Sequence, residues 1–421
     1  MKGKRMDYQE WVRAELKRMS DAAGFCYTPA GEIETRLSRL RAAMAEKETE
    51  AVLVVEKMDL YYFSGTAQDG VLYIPLEGPP LLMIRRETER ARIESPIHAV
   101  TEIASLREIP GRVRDMGGGL PRNMGLELDV LPVKVYRRYG ALFPGTRLLD
   151  AAPLIRGIRR IKSAFEIRLM KRAGKIGEEV FLRAREVLRE GMTEIELGGL
   201  MEAWAKRLGH EGLLRIRSLN YEAYSWHILA GPCGGIVSQS DSPMGGLGLS
   251  PAFPVGAGHN LLKARAPILV DFGICYHGYQ ADETRMFSIG EMEPKFRDAY
   301  RACRRIHDAI LAEARPGADC EVLFDMGTAL AEEMGYRDNY LGPPGLQTRF
   351  VGHGVGLELN EFPFIARGHA YPLEAGMTFA LEPKMVFPGE GAVGIENTVV
   401  VTEDGCEILT PAAAEIFTVS R

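Results

Sequence analysis

Five side chains in this 421-residue chain are of the types that hold hard or borderline cations: Asp271, Asp282, His353, Glu382 and Glu396. The two aspartates lie in Ile268–Arg285, where a run rich in β-branched and aromatic residues leads into His277-Gly278 and a second strand-like run. A two-residue turn containing Gly, where φ can be positive, closes a β-hairpin at that point. In that register Asp271 pairs with Thr284, and Asp271 and Asp282 become diagonal neighbours on one face, roughly 7–8 Å apart at Cα. The glutamates belong to a second pair of runs, Met377–Phe387 and Ala392–Val401, which flank Pro388-Gly-Glu-Gly391. Folding about Gly389 sets Glu382 opposite Glu396. Like charges directly opposed on a ladder are destabilising, so something positive has to sit between them. Four carboxylates and one histidine make a site for two divalent cations, which can polarise a substrate and activate water. His353 is the candidate histidine because glycines on both sides let backbone crowd a metal centre. Taken singly, each residue has an ordinary reading as a solvated strand carboxylate or a loop histidine. Their conjunction carries the inference.

The elements that must position these residues form two groups. Before residue 150 the pattern is α/β. A polar helix is expected over Asp7–Ala22 and an amphipathic one over Glu32–Lys47, with Leu37, Leu40, Ala43 and Met44 on its apolar stripe. Strands are expected at Ala51–Val55, Tyr61–Gly65, Val71–Pro75, Leu81–Ile84 and Met124–Leu128. The aromatic run Tyr61-Tyr62-Phe63 reads as core and is given no site role. A domain boundary falls between Ala151 and Lys162, which divides the chain into domains 1–158 and 159–421. Beyond it, Ser163 with Glu166 and Thr193 with Glu196 have capping-box spacing and open two helices. Helices are also expected over Glu293–Arg315 and Glu321–Met334, ahead of the glutamate hairpin.

The phrases around the five residues resemble those of the pita-bread metalloenzymes: prolidase, aminopeptidase P, methionine aminopeptidase and the metal-free creatinase. They are Val270-Asp-Phe-Gly, Gly278-Tyr-Gln-Ala-Asp-Glu-Thr-Arg285, Gly352-His-Gly-Val-Gly-Leu-Glu358, Leu381-Glu-Pro383 and Gly394-Ile-Glu-Asn-Thr398. The similarity runs from about residue 160 to the end, and the first part looks more loosely like the creatinase/prolidase amino-terminal domain. It implies an α/β (α+β) protein: a smaller creatinase-like domain before a pita-bread domain of antiparallel sheet and helices. It further implies two metal ions, with Asp282 and Glu396 ligating both, Asp271 completing one site, and His353 and Glu382 the other. Water activated by the ions would be the nucleophile and Glu382 its proton acceptor. Arg285 would steady the aspartate pair or a substrate carboxylate. An oxygen-rich shell with one imidazole suits Mn, Co or Fe and is compatible with Zn. Cleavage of a C–N bond in a small peptide, in the manner of an Xaa-Pro aminopeptidase or dipeptidase, is the implied activity, and a homodimer the implied assembly.

The pattern also departs from that family. The peptidases carry a histidine in a His-Glu-x-Pro phrase, where this chain has Asn360-Glu-Phe-Pro363. A second histidine is expected after Gly231-Pro-Cys-Gly-Gly235, where Ser238 and Gln239 stand before an insertion-like run, Ser240–His259. Asn donates a hydrogen bond to a carbonyl but cannot exchange a proton near neutral pH as imidazole does. His227 is the candidate replacement as proton donor, followed by His277 and His259. Ala380 replaces the hydroxyl residue usual two positions before the glutamate ligand. These departures keep open a non-peptide amidohydrolase or lyase on the same scaffold, and, as a third possibility, a non-catalytic binding protein.

Bulk properties narrow the field. The chain is 46% hydrophobic and 26% charged, with net charge −5 and pI near 6.0. That balance offers no argument for nucleic acid or an anionic membrane. Six scattered cysteines without a C-x-x-C pair read as reduced thiols. The first residues, Met1–Trp11, lack the apolar core of a signal peptide, and no run is long enough to span a bilayer, so the expected location is the cytoplasm.

Overall fold

A computed structural model describes residues 7–218, 226–238 and 242–420. Met1–Met6, Gln239, Ser240 and Asp241 lie outside the described residues. The chain divides into two compact units, Met1–Arg159 and Arg160–Arg421.

The first unit contains α1 (Tyr8–Ala23), α2 (Ala30–Glu46), β1 (Ala51–Val54), α3 (Lys57–Ser64), β2 (Gly70–Pro75), β3 (Leu81–Ile84), α4 (Thr88–Glu94), β4 (Val100–Glu102), α5 (Ile109–Asp115), β5 (Asn123–Leu126), α6 (Val133–Leu142), β6 (Arg147–Asp150) and α7 (Ala152–Arg159). Its strands form one mixed sheet in the order β4-β3-β2-β1-β5-β6. Leu53, Tyr73, Met83, Met124 and Leu126 from the strands pack with Tyr139 and Phe143 into a core. The expected strand at Tyr61–Gly65 is instead the end of helix α3. The Glu56 carboxylate accepts the N–H groups of Met58 and Asp59, satisfying donors that the first helical turn leaves unpaired, and Gly65 (φ 80°) ends the helix in the left-handed region. Strand propensity in the aromatic run is overridden by caps at both ends, while Tyr62 and Phe63 are buried in the core.

The second unit opens with α8 (Ala164–Val187) and α9 (Glu194–Leu208), followed by β7 (Trp226–Ala230), β8 (Ile268–Tyr276), β9 (Tyr279–Ile289), α10 (Pro294–Glu313) and α11 (Cys320–Glu333). Then come β10 (Phe350–Gly354), β11 (Glu361–Ala366), β12 (Thr378–Leu381), β13 (Lys384–Phe387), β14 (Gly391–Gly394), β15 (Glu396–Val401), β16 (Cys406–Ile408) and β17 (Phe417–Val419). At α8 the Ser163 and Glu166 side chains make both reciprocal capping bonds. At α9 only Thr193 caps, because the Glu196 carboxylate pairs with Arg189. Among the described residues the main sheet runs β11-β10-β12-β15-β9-β8-β7, with β16 on β15 and β17 on β9, and β13-β14 forms a small separate ladder. Helices α8 and α9 bury Ile176, Phe181, Leu197 and Met201 against Val270, Phe272 and Phe287 of the aspartate hairpin. Helices α10 and α11 bury Cys303, Ile306, Leu323 and Phe324 with Phe379, Leu381 and Val399 around the glutamate strands. Each hairpin thus packs against its own pair of helices, and Leu269 and Met286 of the aspartate hairpin also reach the core around the glutamate strands.

Candidate metal centre

The aspartate hairpin has the expected register: Asp271 pairs with Thr284 and Gly273 with Asp282, around a turn in which His277 (φ 49°) and Gly278 (φ 83°) are both left-handed. On the other side, Leu381 pairs with Asn397 in the β12-β15 ladder and Lys384 with Gly394 in the β13-β14 ladder. One register runs through both ladders, and at their junction Glu382 faces Glu396. Strand β15 then joins the two hairpins by pairing Glu396 with Thr284 of β9.

The result is a largely buried cluster. Ligand atoms of Asp282, His353 and Glu396 lie within 4.8 Å of one another, and all three residues are buried. His353 Nε2 is 3.9 Å from Asp282 Oδ2 and 3.5 Å from Glu382 Oε1. The Nδ1 of His353 faces the carbonyl of Leu359 at 2.9 Å. A carbonyl only accepts, so Nδ1 donates to it and Nε2 is the ring atom turned to the carboxylates. The Thr284 hydroxyl donates to Glu396 Oε2 at 2.7 Å. Thr398 fixes the backbone of Asp282, accepting its N–H at 2.8 Å and donating to its carbonyl at 2.9 Å.

The positive charge required between the opposed glutamates is in the chain itself. Lys384 Nζ donates to Glu382 Oε2 at 2.6 Å and Asp271 Oδ2 at 3.0 Å, and lies 3.3 Å from Glu396 Oε2. Sequence reasoning missed this residue. The available signal was its place two positions after Glu382, where side chains of an extended segment return to the same face. Burial alone lowers the pKa of the ammonium, but Asp271, Glu382 and Glu396 outweigh it and hold it well above the ordinary lysine value.

One ammonium does not balance four carboxylates. Burial, followed by the charges of Asp271 and Glu382, pushes Asp282 well above its usual range. Burial and the neighbouring Asp282 push Glu396 well above its own, against the pull of Lys384. Burial acts on Asp271 in the same sense, yet Lys384 and His227 prevail and hold it low. Two buried carboxylates that resist ionisation, with an imidazole nitrogen turned toward them, suit a divalent cation in charge and in donor type. Asp282, His353 and Glu396 therefore fit one such ion.

The remaining candidates are less centrally placed. His227 on β7 pairs with Asp271, and its Nδ1 is 3.7 Å from Asp271 Oδ2, so it borders the cluster. Asn360 is exposed, one residue beyond the carbonyl that holds His353. His259 is exposed, and His277 sits in the hairpin turn with its ring 4.5 Å from that of Tyr276. Ser238 donates to the carbonyl of Pro254. Ala380, on β12, pairs with His353 and offers no hydroxyl. Arg285 requires a correction. Alternation along β9 turns it to the face opposite Asp282 and Thr284. It is fully buried there, pairing with Glu283 at 2.7 Å and donating to the carbonyls of Glu396 (2.7 Å) and Ala412 (2.6 Å). It reaches neither the aspartate pair nor a substrate, and instead holds the backbone from which Glu396 projects.

Comparison with known proteins agrees with this architecture. Metallopeptidase family M24 matches residues 168–403, and the creatinase/prolidase N-terminal domain matches residues 36–161. The chain belongs to metallopeptidase family M24, which makes it a metal-dependent hydrolase by class. It is 27% identical to the Xaa-Pro dipeptidase of Pyrococcus furiosus over 391 residues, covering 91% of this chain and 100% of that one. Over 311 residues it is 27% identical to the Xaa-Pro dipeptidase of Lactobacillus delbrueckii subsp. lactis, covering 73% and 74% of the two chains. The X-Pro aminopeptidase structure from Thermotoga maritima superposes with a TM-score of 0.76 at 25% identity, covering 91% of this chain and 99% of that chain. A Bacillus anthracis Xaa-Pro dipeptidase structure shares the fold, with a TM-score of 0.79 at 22% identity and coverage of 92% and 100%. The fold is the pita-bread fold expected from the sequence, with a creatinase-like amino-terminal part.

Proposed function

We propose that this protein is an Xaa-Pro peptidase, a dipeptidase or aminopeptidase, that hydrolyses the C–N bond of small peptides with residues 159–421 as its catalytic domain and 1–158 as a creatinase/prolidase-like domain. The observation that carries the reading is the buried convergence of Asp282, His353 and Glu396 from three separate strands. A divalent ion held there would supply Lewis-acid polarisation and a water nucleophile at neutral pH. Asp282, Glu396 and the Nε2 of His353 would hold it, with Asp271 and Glu382 completing the acidic wall. Glu382 takes the proton of the attacking water, His227 returns one to the departing amine, and Asn360 donates to the substrate carbonyl. Mn, Co or Fe suits this donor set, and Zn is compatible with it. The five-residue set by itself leads to two ions; the Lys384 ammonium stands against the second.

The test is to reconstitute metal-stripped protein with Mn²⁺ and offer it Xaa-Pro dipeptides and longer Xaa-Pro peptides. Amine release that disappears on chelation is expected, and metal-loaded protein that is inert across the panel would sink the reading. Asn360 motivates a second reading, hydrolysis of a non-peptide amide whose leaving group needs no imidazole. It gains ground if Asn360→His brings no increase in peptide turnover. Family resemblance further supports a cytoplasmic homodimer, which sedimentation of the purified protein tests. Among the described residues no helix is long and apolar enough to cross a membrane.

A further inference from the structure

We infer that Lys384 takes the place of one of the two cations that this donor set would otherwise hold: the centre binds a single divalent ion at Asp282, His353 and Glu396, and the lysine ammonium is a built-in positive charge among Asp271, Glu382 and Glu396. The inference rests on the metal-dependent reading above and changes its stoichiometry.

Geometry carries it. A divalent ion bonds carboxylate oxygens at about 2.0–2.2 Å. An ion drawn to Asp271 Oδ2 and Glu396 Oε2 would have to enter the space of an ammonium already 3.0 Å and 3.3 Å from those atoms. Two cations cannot share that volume, and their repulsion in a buried site is strong. Lys384 is packed into the cluster. Its side chain is 1% exposed, its carbonyl accepts the N–H of Leu341 at 2.9 Å, and its backbone is paired in the β13-β14 ladder. The stem lies over Gly394, where an added Cβ would come within 2.4 Å of Lys384 Cγ. The glycine at 394 therefore makes room for the lysine. Moving Nζ away would leave Asp271 opposed to the glutamates without this counter-charge.

The other side of the cluster is left for the metal. The Lys384 ammonium hydrogen-bonds Asp271, Glu382 and Glu396 but not Asp282 or His353, and Glu382 divides its oxygens, Oε2 to the ammonium at 2.6 Å and Oε1 towards His353 Nε2 at 3.5 Å. Asp271, the carboxylate that belongs to the other ion's position alone, is one of the three that Lys384 contacts, at 3.0 Å.

The experiment counts ions. Metal-stripped wild-type protein is dialysed against Mn²⁺, bound Mn per chain is measured by elemental analysis, and the electron paramagnetic resonance spectrum is recorded. One Mn per chain with the spectrum of an isolated Mn²⁺ is expected. Two Mn per chain, or the exchange-coupled spectrum of a Mn pair, would overturn the inference and leave the peptidase reading standing; no bound ion would overturn both. Lys384→Gly and Lys384→Ala open the second position, and titration calorimetry on whichever variant folds should show stoichiometry rising from one to two. A folded variant that still binds one ion argues against displacement by Lys384. If neither folds, the wild-type spectrum decides alone.

Discussion

At the scale of single residues, the centre depends on groups that aim its ligands. Thr284 holds one oxygen of Glu396 by a 2.7 Å hydrogen bond. Removing such a partner typically lowers metal affinity about 10–100-fold. Thr284→Val should therefore weaken Mn²⁺ binding by that order in chelator competition with secondary structure unchanged, whereas His353→Ala, which deletes the imidazole of the candidate ligand set, should weaken it more. Equal affinities in wild type and Thr284→Val would show that the hydroxyl has no orienting role. His227 Nδ1 lies 3.7 Å from Asp271 Oδ2, and the proposed function gives it the proton transfer to the departing amine. A positioned acid contributes roughly 10²–10⁴-fold to rate. His227→Ala should lower kcat within that range and flatten one limb of the pH–rate profile. An unchanged profile would assign the proton transfer elsewhere.

At the scale of elements, the strands can carry the site only because helices hold them in place. Helix α8 begins with a complete capping box at Ser163, and loss of a capping side chain costs about 0.5–2 kcal/mol. Ser163→Ala should lower the unfolding midpoint by a corresponding small step. Gly174 in the same helix is under tighter constraint, since a Cβ there would come within 2.2 Å of the Leu409 carbonyl oxygen. Backbone cannot yield as a flexible side chain can, so Gly174→Ala should destabilise by about 1–3 kcal/mol or more, as overpacking does. Chemical denaturation of the two variants should rank Gly174→Ala as the more damaging; the reverse order would contradict the close packing of α8 on the segment after β16.

At the scale of the whole molecule, each unit has its own core, and a pH effect on stability can be assigned to one of them. In the first unit Glu127 is buried, and burial, then the nearby Asp59, raises it to about 8 despite N–H donors from Val55 and Glu56. The unfolded chain releases this proton at an ordinary glutamate value of about 4.3. Between about 4.3 and 8 the folded state keeps a proton that the unfolded state has lost, so this contribution is full at low pH and is lost as pH rises through the window. Glu127→Gln removes the titration. Hydrogen exchange at the β1 and β5 amides should quicken from pH 5 to pH 8, after correction for intrinsic rates, in wild type and much less in the variant. Identical corrected slopes would refute the assignment. The same unit contains a buried Arg159–Asp59 pair at 2.7 Å, and breaking such a pair from one side costs about 3–5 kcal/mol.

Much of the site was legible from sequence because strand geometry is local. A two-residue turn at His277-Gly278 dictates which residues face each other, and the strict alternation of side chains then puts Asp271 and Asp282 together. The same alternation, applied one residue further, would have turned Arg285 away from them. Capping spacing likewise marked the starts of α8 and α9. Other features required the assembled chain. The aromatic run of α3 carries strand propensity, and only the caps at Glu56 and Gly65 decide for helix. His227 meets Asp271 because β7 adds to the sheet edge, a pairing across a long loop that no short pattern encodes. Lys384 reads as an ordinary charged strand residue until β13 folds it inward against Asp271, 113 residues away in sequence. By itself the sequence determined which side chains point the same way along each strand, since backbone stereochemistry sets that period. The tertiary structure alone decided which strands meet, and hence that a lysine occupies the middle of the carboxylates, because burial and long-range charge act only once distant segments share one space.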